Sequence, residues 1–151
     1  MGKKQCLLLV CTGNTDRSPM AAAIAKHWNP DLEVLSRGIA APRGEPMSGI
    51  AAEALKRGGI PILPHSSEPI TERDIEEADL VLTMTSDQKQ FVVRNFPQAR
   101  DKTFLLKKNG DIADPTLWDL LVYERLRDNI AVALSPWLLK LEKNEKFYNH
   151  H

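Results

Sequence analysis

One stretch near the start of the chain constrains its fold more than any other. Residues 6–10, Cys-Leu-Leu-Leu-Val, form an apolar run typical of a strand buried on both faces of a parallel sheet. Cys11 follows, then five small or polar residues, Arg17 and an alanine-rich segment. Ser18 and Pro19 are typical of a helix start, with the serine as N-cap and the proline at the first helical position. The order strand, tight loop, helix predicts an anion site where backbone N–H groups and a helix N-terminus converge.

Strands and helices alternate along the rest of the chain. Apolar runs predict further strands at residues 32–36, 79–84 and 102–106. Helical spacing predicts helices at residues 19–28, 48–57, 86–95 and 117–141, and a capping box at residues 71–74 opens a short one. We expect Trp28 and Leu121 to face the core, and Pro136 to kink or restart the last helix. The alternation predicts an α/β fold, a three-layer sandwich with a four-stranded parallel sheet flanked by helices and the anion-binding loop after the first strand.

Size, charge and cysteine content narrow the classes of function. The 151 residues suit a single domain spanning residues 1–151. The 20 basic and 20 acidic side chains balance, which argues against nucleic acid or an anionic membrane surface as a partner. Cys6 and Cys11 are too few for a disulfide framework, and a reactive free thiol implies a reducing compartment. We therefore expect a cytoplasmic monomer without a membrane segment, and neither a metal nor another cofactor, because the histidines lack ligand spacing.

The residue types in the loop indicate phosphate chemistry through a covalent intermediate. A loop closed by Cys11 and Arg17 can surround the three outer oxygens of a phosphoryl group, and the guanidinium can bind two oxygens at once. Gly13 permits close approach of the backbone, and Asn14 tolerates a left-handed conformation. In this electropositive cup we expect the cysteine to react as a thiolate and to form a phosphocysteine. The candidate phosphate-binding residues are Thr12, Gly13, Asn14, Thr15, Asp16, Arg17 and Ser18.

The full string at residues 10–20, Val-Cys-Thr-Gly-Asn-Thr-Asp-Arg-Ser-Pro-Met, resembles the signature loop of the low-molecular-weight protein-tyrosine phosphatase family. That family includes the bacterial protein-arginine phosphatases, and the resemblance covers essentially residues 5–141. It implies a protein phosphatase whose catalytic residues are Cys11, Arg17 and Asp114. The aspartate stands in an Asp-Pro pair and would be the general acid and then the general base. Asp111 and then Asp119 are the alternatives if that assignment is wrong.

The resemblance also implies roles for polar residues that support the loop. In the family, the equivalents of Asn14, Ser36 and His65 hydrogen-bond together and hold the strained loop backbone. The equivalent of Ser18 hydrogen-bonds the nucleophile and steadies its thiolate. We expect the same contacts here. The plainer alternatives are a solvated loop histidine at position 65 and a simple helix cap at position 18.

Three positions bear on activity and substrate. Asp16 stands where the family usually has a second cysteine that can protect the nucleophile as a disulfide. A carboxylate turned into the cup would repel phosphate, whereas one turned outward would cost little. Thr15 resembles the arginine-phosphatase branch, which is distinguished by a threonine where phosphotyrosine members usually carry isoleucine. A threonine hydroxyl can accept a hydrogen bond from a guanidinium. Thr116 replaces an aromatic residue that would stack on a phenyl ring, which disfavours phosphotyrosine but weakens the match to either branch.

Three functions therefore stay open. The leading interpretation is a cytoplasmic protein phosphatase that acts on phosphorylated proteins or peptides and prefers phosphoarginine, with Thr15 as its specificity residue. A low-molecular-weight protein-tyrosine phosphatase is the second. The third is a catalytically impaired module that binds phosphorylated residues. It is considered because Asp16 could disable the nucleophile.

Overall fold

The computed structural model describes residues 4–144, and its elements follow the predicted order. The strands are β1 (Cys6–Cys11), β2 (Glu33–Gly38), β3 (Leu80–Thr83) and β4 (Thr103–Leu105). The helices are α1 (Arg17–Trp28), α2 (Gly49–Arg57), α3 (Glu72–Glu77), α4 (Ser86–Asn95) and α5 (Leu120–Glu142), and a 3-10 helix spans Pro97–Lys102. No helix within residues 4–144 is both long and apolar enough to cross a membrane.

The sheet has the strand order β2-β1-β3-β4, and every pair is parallel. Side chains of β1 alternate between two cores, as the two-residue period of a strand requires. Leu7 and Leu9 pack with the apolar residues of α1, α2 and α5. Leu8 and Val10 pack on the other face, with Val92 of α4. Helices thus cover both faces, and the predicted three-layer α/β sandwich with a four-stranded parallel sheet is confirmed.

Helix α1 starts earlier than predicted. It begins at Arg17, two residues before the expected first residue, and Asp16 occupies the N-cap position without a side-chain capping bond. The prediction that Ser18 caps this helix is therefore wrong. The serine lies inside the first turn, where its hydroxyl oxygen is 2.9 Å from the sulfur of Cys11. The hydroxyl thus lies beside the Cys11 sulfur and does not cap the helix.

Predictions about the faces of the helices succeed only in part. Trp28 is 49% exposed, because it is the last residue of α1 and lies beyond the buried stretch that ends at Ala25. Leu121 is 56% exposed, because it lies on the opposite side of α5 from Tyr123, which is buried two residues later. Both were expected in the core, and both expectations are wrong. The capping box at residues 71–74 is present at the start of α3.

Helix α5 is continuous through Pro136, so the restart considered for this position is wrong. A proline inside a helix leaves the carbonyl four residues earlier without its partner, here the carbonyl of Val132. Both residues lie on the exposed side of the helix, where water can bind that carbonyl. The opposite side carries a buried row that holds the helix against α1 and α2: Tyr123, Leu126, Ile130, Leu134, Leu138 and Leu141.

Candidate active site

The phosphate loop, residues 11–17, joins the end of β1 to the start of α1 at the carboxyl edge of the sheet. Asn14, at its middle, has a φ of 60°, in the left-handed region. Gly38, at the end of β2, packs against the loop so closely that a Cβ there would lie 2.4 Å from the Thr12 carbonyl oxygen. The same carbonyl accepts a hydrogen bond from the backbone N–H of Ala40 at 3.0 Å. Close backbone packing between the phosphate loop and the end of β2 therefore forms one wall of the loop.

The thiol of Cys11 lies at the bottom of this loop and is only 2% exposed. Its sulfur is 2.9 Å from the hydroxyl oxygen of Ser18 and accepts a hydrogen bond from the backbone N–H of Asn14 at 3.2 Å. Cys6 lies buried at the other end of β1. The loop thus holds a buried, hydrogen-bonded sulfur, with no second thiol beside it among residues 4–144.

The three residues expected to support the loop lie together. The Asn14 amide donates to the hydroxyls of Ser18 at 2.8 Å and Ser36 at 2.7 Å, and its oxygen accepts the backbone N–H of Glu68 at 3.0 Å. The ring Nε2 of His65 lies 2.6 Å from the Asn14 carbonyl oxygen. Because a carbonyl oxygen only accepts, Nε2 carries the proton. These bonds hold the left-handed residue of the loop from its side chain and from its backbone.

Arg17 is 5% exposed and spans the opening between the cup and the loop that carries Asp114. Its Nη1 donates to the carbonyl of Ile112 at 2.9 Å, and its Nε lies 3.7 Å from a carboxylate oxygen of Asp114. The Asp114 side chain is 71% exposed, so this contact contributes little to stability. Residues 11–17 and Asp114 line one cavity of about 220 Å³. A thiol, a guanidinium and a carboxyl group therefore face a single space large enough for a phosphoryl group.

The two alternative acids have other partners. Asp111 accepts the backbone N–H of Ser86 at 2.9 Å, at the start of α4. Asp119 is the N-cap residue of α5 and accepts the backbone N–H of Leu121 at 2.8 Å. Neither lines the cavity, which leaves Asp114 as the candidate acid. Within residues 4–144 no group of three or more His, Cys, Asp or Glu side chains could hold a metal ion.

The carboxylate of Asp16 has a partner outside the phosphate loop. One oxygen accepts a hydrogen bond from the hydroxyl of Ser48, the N-cap residue of α2. Burial, the charges of Asp16 and Asp114, and hydrogen bonding to Asp16 raise the pKa of the Tyr123 phenol in α5 to about 12. Asp16 lines the cavity together with the rest of the loop, but its carboxylate is engaged by the start of α2.

Sequence reasoning missed three residues that hold the site. Gln88 is 1% exposed; its oxygen accepts the N–H groups of Met84 and Thr85 at 2.9 and 3.0 Å, and its amide donates to the Thr12 hydroxyl at 3.1 Å. The other two are Ser48 and Tyr123. A glutamine three residues after a threonine is a recognisable capping box, which this one forms with Thr85. The bond to Thr12 had no sequence signal, because it joins residues far apart in the chain.

The comparisons with known proteins agree with this geometry. A family model described as low molecular weight phosphotyrosine protein phosphatase matches residues 6–147. The protein-arginine-phosphatase of Geobacillus stearothermophilus is 41% identical over 145 residues, which cover 92% of this chain and 97% of the relative. The probable low molecular weight protein-tyrosine-phosphatase EpsP of Ralstonia nicotianae is 34% identical over 137 residues, covering 89% of this chain and 94% of the relative.

Solved structures of such proteins share the fold. The YwlE arginine phosphatase from Geobacillus stearothermophilus matches with a TM-score of 0.86 at 40% identity, covering 97% of this chain and 99% of that chain. A YwlE mutant with a phosphorylated active-site serine matches with a TM-score of 0.87 at 36% identity, covering 93% and 97%. The fold and the cysteine–arginine cup define the class of cysteine-dependent protein phosphatases. Within that class, the chain belongs to the low-molecular-weight protein-tyrosine phosphatase family, as its loop predicted.

Proposed function

We propose that this protein is a protein-arginine phosphatase that hydrolyses phosphoarginine on protein or peptide substrates through a phosphocysteine at Cys11. The observation that carries the proposal is the cup, in which the buried sulfur of Cys11 and Thr15 line the same cavity. Relatives named protein-arginine-phosphatase, 41% and 39% identical to this chain, support the same substrate class.

In the first step the Cys11 thiolate attacks phosphorus in line with the leaving group. A sulfur–phosphorus bond forms as the phosphorus–nitrogen bond of phosphoarginine breaks, and the departing guanidine takes the proton of Asp114 and leaves as a guanidinium. Backbone N–H groups of the phosphate loop and the guanidinium of Arg17 bind the three outer oxygens. Donors that the fold fixes before the reaction offset the charge of the transition state without rearrangement.

In the second step water attacks the phosphorus of the phosphocysteine. Asp114, now a carboxylate, takes a proton from this water while the sulfur–phosphorus bond breaks. Inorganic phosphate leaves, and the cysteine returns to its thiolate. The N–H of Asn14 donates to the sulfur and the Ser18 hydroxyl lies 2.9 Å from it, so both groups can stabilise the charge on the departing sulfur.

Thr15 supports phosphoarginine as the substrate. The residue is half-buried in the wall of the cavity. A threonine hydroxyl can accept a hydrogen bond from a guanidinium N–H, whereas the methyl groups of an isoleucine cannot. The exposed carboxyl group of Asp114 lies at the same opening, where it can pair with the guanidinium and deliver the proton.

Phosphotyrosine is the second candidate substrate, and Trp118 is the observation that favours it. The indole is 74% exposed and stacks on Tyr123, with ring centroids 6.0 Å apart. It follows Asp114 by four residues and could offer a substrate ring the contact that Thr116 cannot. Such an aromatic pair is worth about 1 kcal/mol.

The test compares kcat/KM on two peptides of the same sequence, one carrying phosphoarginine and the other phosphotyrosine. The unsubstituted protein should prefer phosphoarginine, and Cys11→Ser should turn over neither peptide. Thr15→Ile should reduce the phosphoarginine rate while sparing the phosphotyrosine rate. A preference for phosphotyrosine in the unsubstituted protein, or a full phosphoarginine preference kept by Thr15→Ile, would contradict the proposed specificity.

We further propose that the protein works as a monomer of one domain in the cytoplasm, since a reactive thiol survives in a reducing compartment. The interpretation as an impaired binding module is disfavoured. It supposed that the Asp16 carboxylate repels phosphate, whereas that carboxylate accepts a hydrogen bond from Ser48. That module would bind the phosphorylated peptides without releasing phosphate. Measurement of phosphate release distinguishes a phosphatase from a binding module. Sedimentation of the purified protein tests whether it is a monomer.

A further inference from the structure

The turn between β3 and α4, residues 84–88, is held from two sides. The backbone N–H of Met84 donates to the carbonyl of Val10 in β1 at 3.0 Å. On the other side lies the acid loop, residues 107–119, which carries the candidate acid and contains no helix or strand. The N–H of Ile112 in this loop donates to the Met84 carbonyl at 2.7 Å. The backbone of the turn is thus bonded both to the sheet and to the acid loop.

Gln88, in the first turn of α4, is 1% exposed, and its hydrogen-bond partners fix the orientation of its amide. The side-chain oxygen lies 2.9 and 3.0 Å from the backbone nitrogens of Met84 and Thr85. Backbone N–H groups only donate, so the atom that faces them has to be the oxygen, and the other atom has to be the nitrogen. That nitrogen lies 3.1 Å from the hydroxyl oxygen of Thr12. The amide is therefore a donor fixed towards the phosphate loop.

The bond from Gln88 leaves the Thr12 hydroxyl with a proton to donate. An amide nitrogen only donates, so the hydroxyl oxygen is the acceptor in this bond and its own proton has to point elsewhere. Among residues 4–144 the Gln88 amide is the one hydrogen-bond partner of this hydroxyl. Thr12 is exposed and lines the cavity together with Cys11 and Asp114. The proton is thus available to an acceptor that enters the cavity, and phosphoryl oxygens are strong acceptors.

We propose that Gln88 is a positioning residue for the phosphatase reaction, which directs the Thr12 hydroxyl so that it donates to a phosphoryl oxygen. The inference rests on the proposed function, and it adds a side-chain donor to the backbone N–H groups of the phosphate loop. The turn fixes the amide, and the amide fixes the hydroxyl. A donor that is aimed before the substrate arrives has less freedom to lose on binding and needs no rearrangement in the transition state.

The substitution Gln88→Glu separates this role from the role of Gln88 in folding, because it reverses the direction of the bond. A carboxylate still accepts the N–H groups of Met84 and Thr85, so the start of α4 stays capped. Its other oxygen only accepts, so it takes the proton of the Thr12 hydroxyl away from the cavity. The three donors around the carboxylate favour its ionised form.

The test measures how well inorganic phosphate protects Cys11 against alkylation by iodoacetate, a readout that needs no turnover. For each variant, the phosphate concentration that halves its own rate of alkylation is determined. Gln88→Glu is compared with Thr12→Val, which removes the hydroxyl at nearly constant volume, and with Thr12→Ser, which keeps it. Gln90→Glu is the matched control for the added charge, because Gln90 is exposed on the same helix.

Thr12→Val and Gln88→Glu should each raise the half-protecting phosphate concentration about tenfold, the usual effect of losing one hydrogen bond to a charged group. The double variant should be no worse than the poorer single variant, because both substitutions remove the same donor. Thr12→Ser and Gln90→Glu should leave the half-protecting concentration unchanged.

Unchanged protection in Thr12→Val would overturn the inference, and so would losses that multiply in the double variant or a loss in Gln90→Glu as large as in Gln88→Glu. If Gln88→Glu does not fold, Gln88→Met removes the donor without adding a charge, and it too should cause no further loss when combined with Thr12→Val. Turnover of p-nitrophenyl phosphate is measured separately. Absence of turnover above the Cys11→Ser blank in the unsubstituted protein would overturn the proposed function, whatever the protection by phosphate. The two failures are therefore distinguishable.

Discussion

The phosphate loop and the acid loop meet at one cavity but are held in opposite ways. Asn14 and Arg17 of the phosphate loop, and Ser18 directly after it, are at most 5% exposed, and each is hydrogen-bonded. In the acid loop Asp114 and Trp118 are largely exposed, and neighbouring residues provide the anchors. A fully satisfied buried network is rigid, whereas an exposed loop with few anchors opens at little cost. On the proposed mechanism, the attacking sulfur is therefore held rigidly, while the acid loop can give way as substrate enters and phosphate leaves.

The largest expected effect comes from Asp114→Asn in the acid loop. This substitution should abolish proton transfer while leaving the stability of the fold unchanged. We expect kcat/KM on a phosphoarginine peptide to fall by about 10²–10⁴-fold, the usual contribution of a general acid. The free energy of unfolding should not change, because the side chain is 71% exposed. Steady-state kinetics and urea unfolding measure the two effects. A marked loss of stability would show that the acid loop is as firmly held as the phosphate loop.

Asn14→Ala tests the rigid phosphate loop and should reduce both activity and stability. It removes the bonds to Ser18, Ser36 and Glu68 and leaves the left-handed backbone unsupported. We expect a loss of about 3 kcal/mol in unfolding free energy, from buried groups left unpaired, and a loss in kcat/KM of about 10²-fold.

Asn109→Ala is the matched control for this substitution. Asn109 has a φ of 63°, close to that of Asn14, but it is exposed in the acid loop. Its replacement should cost only the strain of a left-handed alanine, about 1 kcal/mol. Equal destabilisation by the two substitutions would show that the network around Asn14 contributes nothing beyond its backbone conformation.

Oxidation by peroxide tests how Asp16 affects the phosphate loop. No thiol lies beside Cys11 among residues 4–144, so its oxidation should proceed to acids that dithiothreitol does not reverse. Asp16→Cys should restore recovery by offering a partner for a disulfide, and Asp16→Ser should not. Activity after peroxide and then dithiothreitol is the measurement. Full recovery of the unsubstituted protein would mean that some other group protects the sulfur.

The smallest expected effect is an alkaline loss of stability from Tyr123. Its folded-state pKa is about 12 against an ordinary value of 10.0, so between these values the folded protein holds a proton that the unfolded chain releases. Stability from this group is complete below the ordinary value and declines as pH rises towards the folded-state pKa. Tyr123→Phe should lack this decline. Urea unfolding of both proteins across that range tests it, and parallel curves would contradict the assignment.

Much of the fold followed from local patterns. The apolar run at residues 6–10 is a strand buried on both faces, and the capping box at residues 71–74 opens a helix. Both signals lie within a few consecutive residues, so the sequence displays them directly. Ser18 is the instructive exception. Serine before proline resembles a helix cap, but helix α1 begins at Arg17 and the Ser18 hydroxyl faces the sulfur of Cys11.

By itself, the sequence determined the order of strands and helices, the cup that joins Cys11 to Arg17, and the family to which the chain belongs. Only the tertiary structure decided where the carboxylate of Asp16 points and what holds the acid loop. The reason is physical. A residue's local pattern sets its backbone, but the direction of a polar side chain depends on which partner the fold brings within reach, here Ser48 from α2.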